Sequence, residues 1–179
     1  MNQAILISIK PEWIEKIRSG KKTREIRKNK PSCQLPISVY MYCTKDTDNY
    51  KWLGQKECEG KVVGKFTLKE VEIFDPLLGH PSLYIAACMG DFDSAAYANG
   101  KKFLFAWHIS DLVIFDEPKE LCDFHPYFPK LERWCHEDSD CDGCPFFVSE
   151  LAVFTDEDCK WLKGLTKAPQ SWQYVEVRP

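Results

Sequence analysis

Between Gly20 and Arg27 the chain reads Gly-Lys-Lys-Thr-Arg-Glu-Ile-Arg, four cations and one carboxylate in eight residues. An arginine fork can grip a phosphate through two hydrogen bonds, and a lysine adds a point charge. A carboxylate among them can orient the arginine or accept hydrogen bonds from a base amino group. The chemistry this points to is recognition of an anion or a nucleobase by Lys22, Glu25 and Arg27. The plain alternative is a surface strand carrying an ordinary Glu–Arg pair, which contributes little. Thr23, Glu25 and Arg27 alternate with Arg24 and Ile26, a strand period that puts Glu25 and Arg27 on one face, close enough to pair.

Two further groups of residues could do chemistry. Cys122, Cys135, Cys141 and Cys144 are spaced C-x12-C-x5-C-x2-C, with His125 and His136 interleaved. Gly143 permits the tight turn that the Cys141–Cys144 thiolates need around a metal. A structural zinc would pin an acidic stretch that has little core of its own, and four thiols would close its coordination shell. The alternative is free cysteines in a Cys-rich loop. Near the C-terminus, Trp172 and Tyr174 are either a stacking platform for bases or large residues of a closing core strand. His80 and His108 stand alone in sequence and read as structural.

The charge balance narrows the partners. The 179 residues carry 24 Lys+Arg and 27 Asp+Glu, a net of −3. Residues 1–30 hold nine basic and three acidic side chains, a net of +6, which leaves −9 for the remainder. A basic lobe on an acidic body can hold a polyanion in one place while the rest repels it. The apolar runs all fall short of the roughly 18 residues a membrane helix needs. Met1 to Ile9 lacks a charged n-region and a small-residue cleavage site, so no signal peptide is expected. The nine cysteines are accordingly read as thiols or metal ligands in a reducing cytoplasm.

The elements that must position these residues follow from periodicity. Ala4 to Ile9 is a near-continuous apolar run, typical of a strand covered on both faces. Pro11 suits a first helical position, Trp13, Ile14 and Ile17 share one face, and Gly20 is placed to end the helix. Ile37 to Cys43 alternates cleanly. Thr44 to Gly60 reads as a loop. Lys61 to Phe74 reads as one strand with Val62, Gly64, Phe66 and Leu68 on a face, Gly64 marking a bulge or close backbone approach. Ser82 to Tyr97 reads as helix broken near Gly90, Asn99-Gly100 as a turn, and Phe103–Ile109 and Leu112–Phe115 as strands. Residues 116–160 form an acidic, Cys-rich and irregular insertion, and 169–178 a closing strand of one domain spanning 1–179. Strands outnumber helices without alternating with them, which favours an α+β fold with a mixed or barrel-like sheet.

The apolar strand, the Ser-Ile-Lys-Pro turn, the short helix and then Gly20, Lys22, Glu25 and Arg27 (Gly-x-Lys-x-x-Glu-x-Arg) resemble the signature of the ASCH domain, a branch of the PUA-like superfamily, in a bacterial or phage-type form. Val62–Phe66, Ala106–Ile109 and Pro169–Trp172 agree with it. The resemblance covers roughly residues 3–115 and the tail. It implies a small mixed β-barrel of five to six strands with short flanking helices, whose cleft binds RNA, another single-stranded nucleic acid or a nucleotide. Some relatives are amidohydrolases of acetylated cytidine. This chain matches their lysine at Lys22 but has Glu25 in place of their nucleophilic threonine. An enzymatic reading, as amidohydrolase or ribonuclease, would therefore rest on Lys22 with Glu25 or Glu70, with Glu72 or Thr23 as weaker candidates. A third reading makes the acidic insertion a docking site for a protein partner.

Overall fold

The computed structural model describes residues 2–45, 58–78, 80–127 and 164–177. Nine strands, three α-helices and a short 3-10 helix (Leu121–Asp123) occur among them, the strands forming one six-stranded and one three-stranded sheet with two of the α-helices over the smaller. The fold is thus mixed α+β, as expected; the two sheets pack without closing into a continuous barrel.

Strand β1 (Asn2–Ile9) lies inside the six-stranded sheet, parallel to β3 (Ile37–Cys43) and antiparallel to β9 (Trp172–Val177). Burial on both faces is why its sequence is a continuous apolar run. Ile5, Ile7 and Ile9 point into the main core with Val39, Met41, Phe66, Leu68 and Trp107. Ala4 and Leu6 point the other way, onto Val62, Phe124 and Val175. Each such fully buried aliphatic contributes about 1.5–3 kcal/mol.

Helix α1 (Pro11–Arg18) starts at proline and buries Pro11, Ile14 and Ile17. Gly20 sits at φ +73°, the left-handed backbone that turns the chain out of the helix. Strand β2 (Arg24–Arg27) follows directly and pairs antiparallel with β6 (Leu104–His108).

The stretch 61–74, expected as one strand, is two strands in different sheets. β4 (Val62–Leu68) pairs with β3 and with β7 (Ser110–Lys119), whereas β5 (Val71–Phe74) pairs with β6. The exposed Lys69 and Glu70 make the crossing between sheets, and a period-two pattern that continues across such a hinge does not reveal it. Gly64 is a close approach, as read: a Cβ there would stand 2.5 Å from the Val113 carbonyl oxygen and 3.2 Å from the Ile114 Cα.

Helices α2 (Pro81–Ala87) and α3 (Asp91–Ala98), separated at Gly90, cover the three-stranded sheet. Leu83, Tyr84, Ala87 and Ala98 pack there on Ile26, Phe74, Leu104 and Ala106. Asn99 (φ 48°) and Gly100 (φ 82°) form the expected turn into β6. Beyond Asp116 the chain is regular for longer than its composition suggests. β7 runs on to Lys119, and β8 (Phe124–Pro126) adds to the outer edge of β9. The remaining positions of the insertion, 128–160, lie outside the described residues.

Candidate functional site

Lys22, Glu25 and Arg27 converge. Glu25 is the hub, with Oε1 2.9 Å from Arg27 Nη2 and Oε2 3.3 Å from Lys22 Nζ. The alternation of β2 accounts for the Glu25–Arg27 half of this. The other half arises because the chain leaving α1 brings Lys22 back over the same sheet face.

The three residues are 5–7% exposed, so this is a buried charge cluster and not an open basic face. Burying charge is costly unless it is paired and hydrogen-bonded, and the surrounding backbone supplies the partners. Lys22 Nζ donates to the Ala87 carbonyl (2.7 Å) at the C-terminal end of α2, where unsatisfied carbonyls favour a cation. The Trp13 ring lies 5.0 Å below the same ammonium. Arg27 Nη2 also donates to the Ser8 carbonyl (2.7 Å), and Nη1 donates to Ser171 Oγ (3.3 Å). Lys21, on the neighbouring position, is exposed, and Arg24 and Lys28 are half-exposed, as their phase predicts.

Arg27 is held from the tail as well as from β1. Ser8 Oγ donates to the Pro169 carbonyl (2.6 Å), and Ser8 N–H donates to the Ser171 carbonyl (2.9 Å), tying the segment before β9 against the arginine. Trp172 and Tyr174 come next, half-buried and packed edge to face with ring centres 5.5 Å apart. Trp172 leans at 5.5 Å on Trp107, which is fully buried. The Tyr174 hydroxyl accepts from the backbone N–H groups of Ser32 (2.8 Å) and Cys33 (3.0 Å). These two rings therefore belong to the core wall and to its rim at once.

Two buried donors beside this cluster were not legible in the sequence. Among the described residues, neither Arg27 Nε nor Trp107 Nε1 has a hydrogen-bond acceptor, although both atoms are buried. Register places Trp107 directly across from Glu25, and Phe105 across from Arg27, so Arg27 and Trp107 share a sheet face as diagonal neighbours.

Glu70 and Glu72 are not brought to this cluster. Val71 pairs with Trp107, so Glu70 and Glu72 are one residue out of phase with the Glu25 face. They meet His108 instead, Glu70 Oε2 at 3.4 Å from Nδ1 and Glu72 Oε2 at 3.9 Å from Nε2. Thr23 is exposed, and its backbone bridges the Ala86 carbonyl and the Ile109 N–H. His80 packs edge-on against Phe74 and Tyr84. Of the four cysteines proposed to bind zinc, Cys122 is exposed, while Cys135, Cys141 and Cys144 lie outside the described residues, as does His136. His125 is half-buried in β8. A cavity of about 230 Å³ opens between α1 and β7, lined by Ile14, Arg18, Cys58, Val63, Ile114, Phe115 and Pro118, and none of the motif residues reaches it.

The architecture has solved counterparts. ASCH from Zymomonas mobilis superposes with a TM-score of 0.50 over 66% of this chain and 73% of its own, at 23% identity. The fold is that of an ASCH domain. A tyrosine-to-phenylalanine variant of the Zymomonas protein aligns at 22% identity and a serine-to-alanine variant at 23%. Both have a TM-score of 0.50 and cover 66% of this chain, with 76% and 74% of their own lengths respectively. No protein-family model matches the sequence, and a search of curated proteins finds no match. Within the ASCH-like fold, the Lys22–Glu25–Arg27 cluster sits where the two sheets and the tail strand meet.

Proposed function

We propose that the protein binds RNA or a nucleotide through the junction of β2, β6 and the segment preceding β9, with Lys22, Glu25 and Arg27 at its base and Trp172 and Tyr174 at its side. One observation carries this reading. The Arg27 guanidinium is held by Glu25, the Ser8 carbonyl and Ser171 next to two half-exposed aromatic rings. A fixed guanidinium beside aromatic faces combines the two contacts that single-stranded nucleic acid uses, charge on the backbone and stacking on the base.

The surrounding cations support capture. Lys10, Arg18, Lys21 and Lys30 are exposed and belong to the first 30 residues, where the chain carries its positive excess. They would steer a polyanion toward the junction, while the acidic remainder confines it there. A structural zinc on Cys122, Cys135, Cys141 and Cys144 belongs to the same proposal, supported by their spacing alone.

The test is binding of a mixed-sequence single-stranded RNA, measured by fluorescence anisotropy over a range of salt. Affinity should fall as salt rises, and a Lys22→Ala/Arg27→Ala variant that retains its circular dichroism should lose at least about 10-fold, because hydrogen bonds to charged groups carry that much. Unchanged affinity in a folded variant would sink the proposal. A charge-reversed Lys21→Glu/Arg24→Glu variant, which leaves the buried cluster alone, should lose affinity and flatten the salt slope.

A further inference from the structure

Lys22 and Arg27 bring two positive charges to the buried cluster and Glu25 one negative, an excess of one cation. Beside it lie two buried donors that have no acceptor among the described residues, Arg27 Nε and Trp107 Nε1. A buried donor left unpaired is costly, and uncompensated buried charge is more so. Cation excess and vacant donors call for the same thing: an oxygen that bears negative charge. Glu25 does not supply it: its oxygens meet Arg27 Nη2 and Lys22 Nζ, and neither accepts from Arg27 Nε or Trp107 Nε1.

Access decides which anion fits. Both donor atoms are buried next to the Ser171–Trp172 segment, with the Trp172 ring against Trp107 and the Ser171 hydroxyl on Arg27 Nη1. An internal phosphodiester has a sugar on either side and reaches buried donors less readily than a chain end does. A terminal phosphate monoester protrudes from the molecule and carries the larger charge. The long 3.3 Å contact to Ser171 is the one that an incoming oxygen displaces most easily.

We infer that the site is an end-reader, in which a terminal phosphate monoester of a nucleotide or of an RNA strand docks on Arg27 Nε and Trp107 Nε1. This rests on the nucleic-acid reading above and specifies its ligand. The terminal phosphate is the recognised group, and Trp107 is a binding residue through its indole N–H.

The experiment compares one short RNA in four forms: 5′-phosphorylated, 3′-phosphorylated, hydroxyl at both ends, and circularised. Inorganic phosphate and nucleoside 5′- and 3′-monophosphates serve as competitors. One phosphorylated end should bind about 10-fold or more tighter than the hydroxyl-ended and circular forms, the increment of a charge-assisted hydrogen bond. The matching monophosphate should compete, and Trp107→Phe should erase the difference between the phosphorylated and hydroxyl-ended forms. Equal binding of all four forms overturns the inference and leaves RNA binding standing. If no RNA and no monophosphate binds, both readings fall. Should Trp107→Phe not fold, the wild-type protein still decides the matter. Its buried indole N–H resonance should shift on addition of the monophosphate, and a spectrum in which no buried indole signal moves overturns the inference.

Discussion

The Lys22 ammonium donates to the carbonyl of Ala87, 65 positions along the chain, and thereby joins the end of α2 to the carboxylate of Glu25. One side chain thus closes a helix terminus and balances a buried charge. The cluster is asymmetric as a result: Glu25 touches two cations, and each cation has other acceptors.

That asymmetry ranks the substitutions. Glu25→Gln leaves two buried cations without a counter-charge and should cost about 3–5 kcal/mol. Lys22→Met removes one hydrogen bond to the helix end but leaves Glu25 paired with Arg27, and should cost only about 1–3 kcal/mol. Urea denaturation of the two variants checks the order, and a Lys22→Met more destabilised than Glu25→Gln would show that the helix end, not the carboxylate, is the dominant partner.

Alkaline pH should destabilise the fold through its tyrosines. Burial holds the Tyr97 phenol above its ordinary range, with Arg27 lowering it and Glu25 raising it, and burial raises Tyr40 and Tyr42 as well. A folded value above the unfolded one means the protein favours the neutral phenol. The stabilisation is complete below the unfolded value of 10.0 and is lost as pH rises through the folded value. Melting temperature should therefore fall above about pH 10. Tyr97→Phe should make that fall shallower, and an identical slope would remove Tyr97 from the account.

For the cysteine-rich segment the expected result is one zinc per chain by elemental analysis. Its removal by a strong chelator should expose thiols to a chromogenic reagent and lower stability, since binding free energy at a structural zinc is folding free energy. Free reaction of Cys122, Cys135, Cys141 and Cys144 in the untreated protein would dispose of the site.

By itself the sequence determined the local rules. A continuous apolar run made β1 a doubly covered strand, Pro11 and Gly20 bounded α1, and the alternation of β2 aimed Glu25 and Arg27 to the same side. Such features depend on residues a few positions apart, within the reach of a pattern. Only the tertiary structure decided what those charges meet. Lys22 finds Ala87, Arg27 finds Ser8 and Ser171, and Trp107 lies across from Glu25, all through pairings between distant segments. It also split 61–74 between two sheets and turned Glu70 toward His108, because a strand pattern carries its phase but not the sheet it joins. The charge run is visible in the chain, but its enclosure is not: whether a cation faces water or a helix end depends on which segments pack over it.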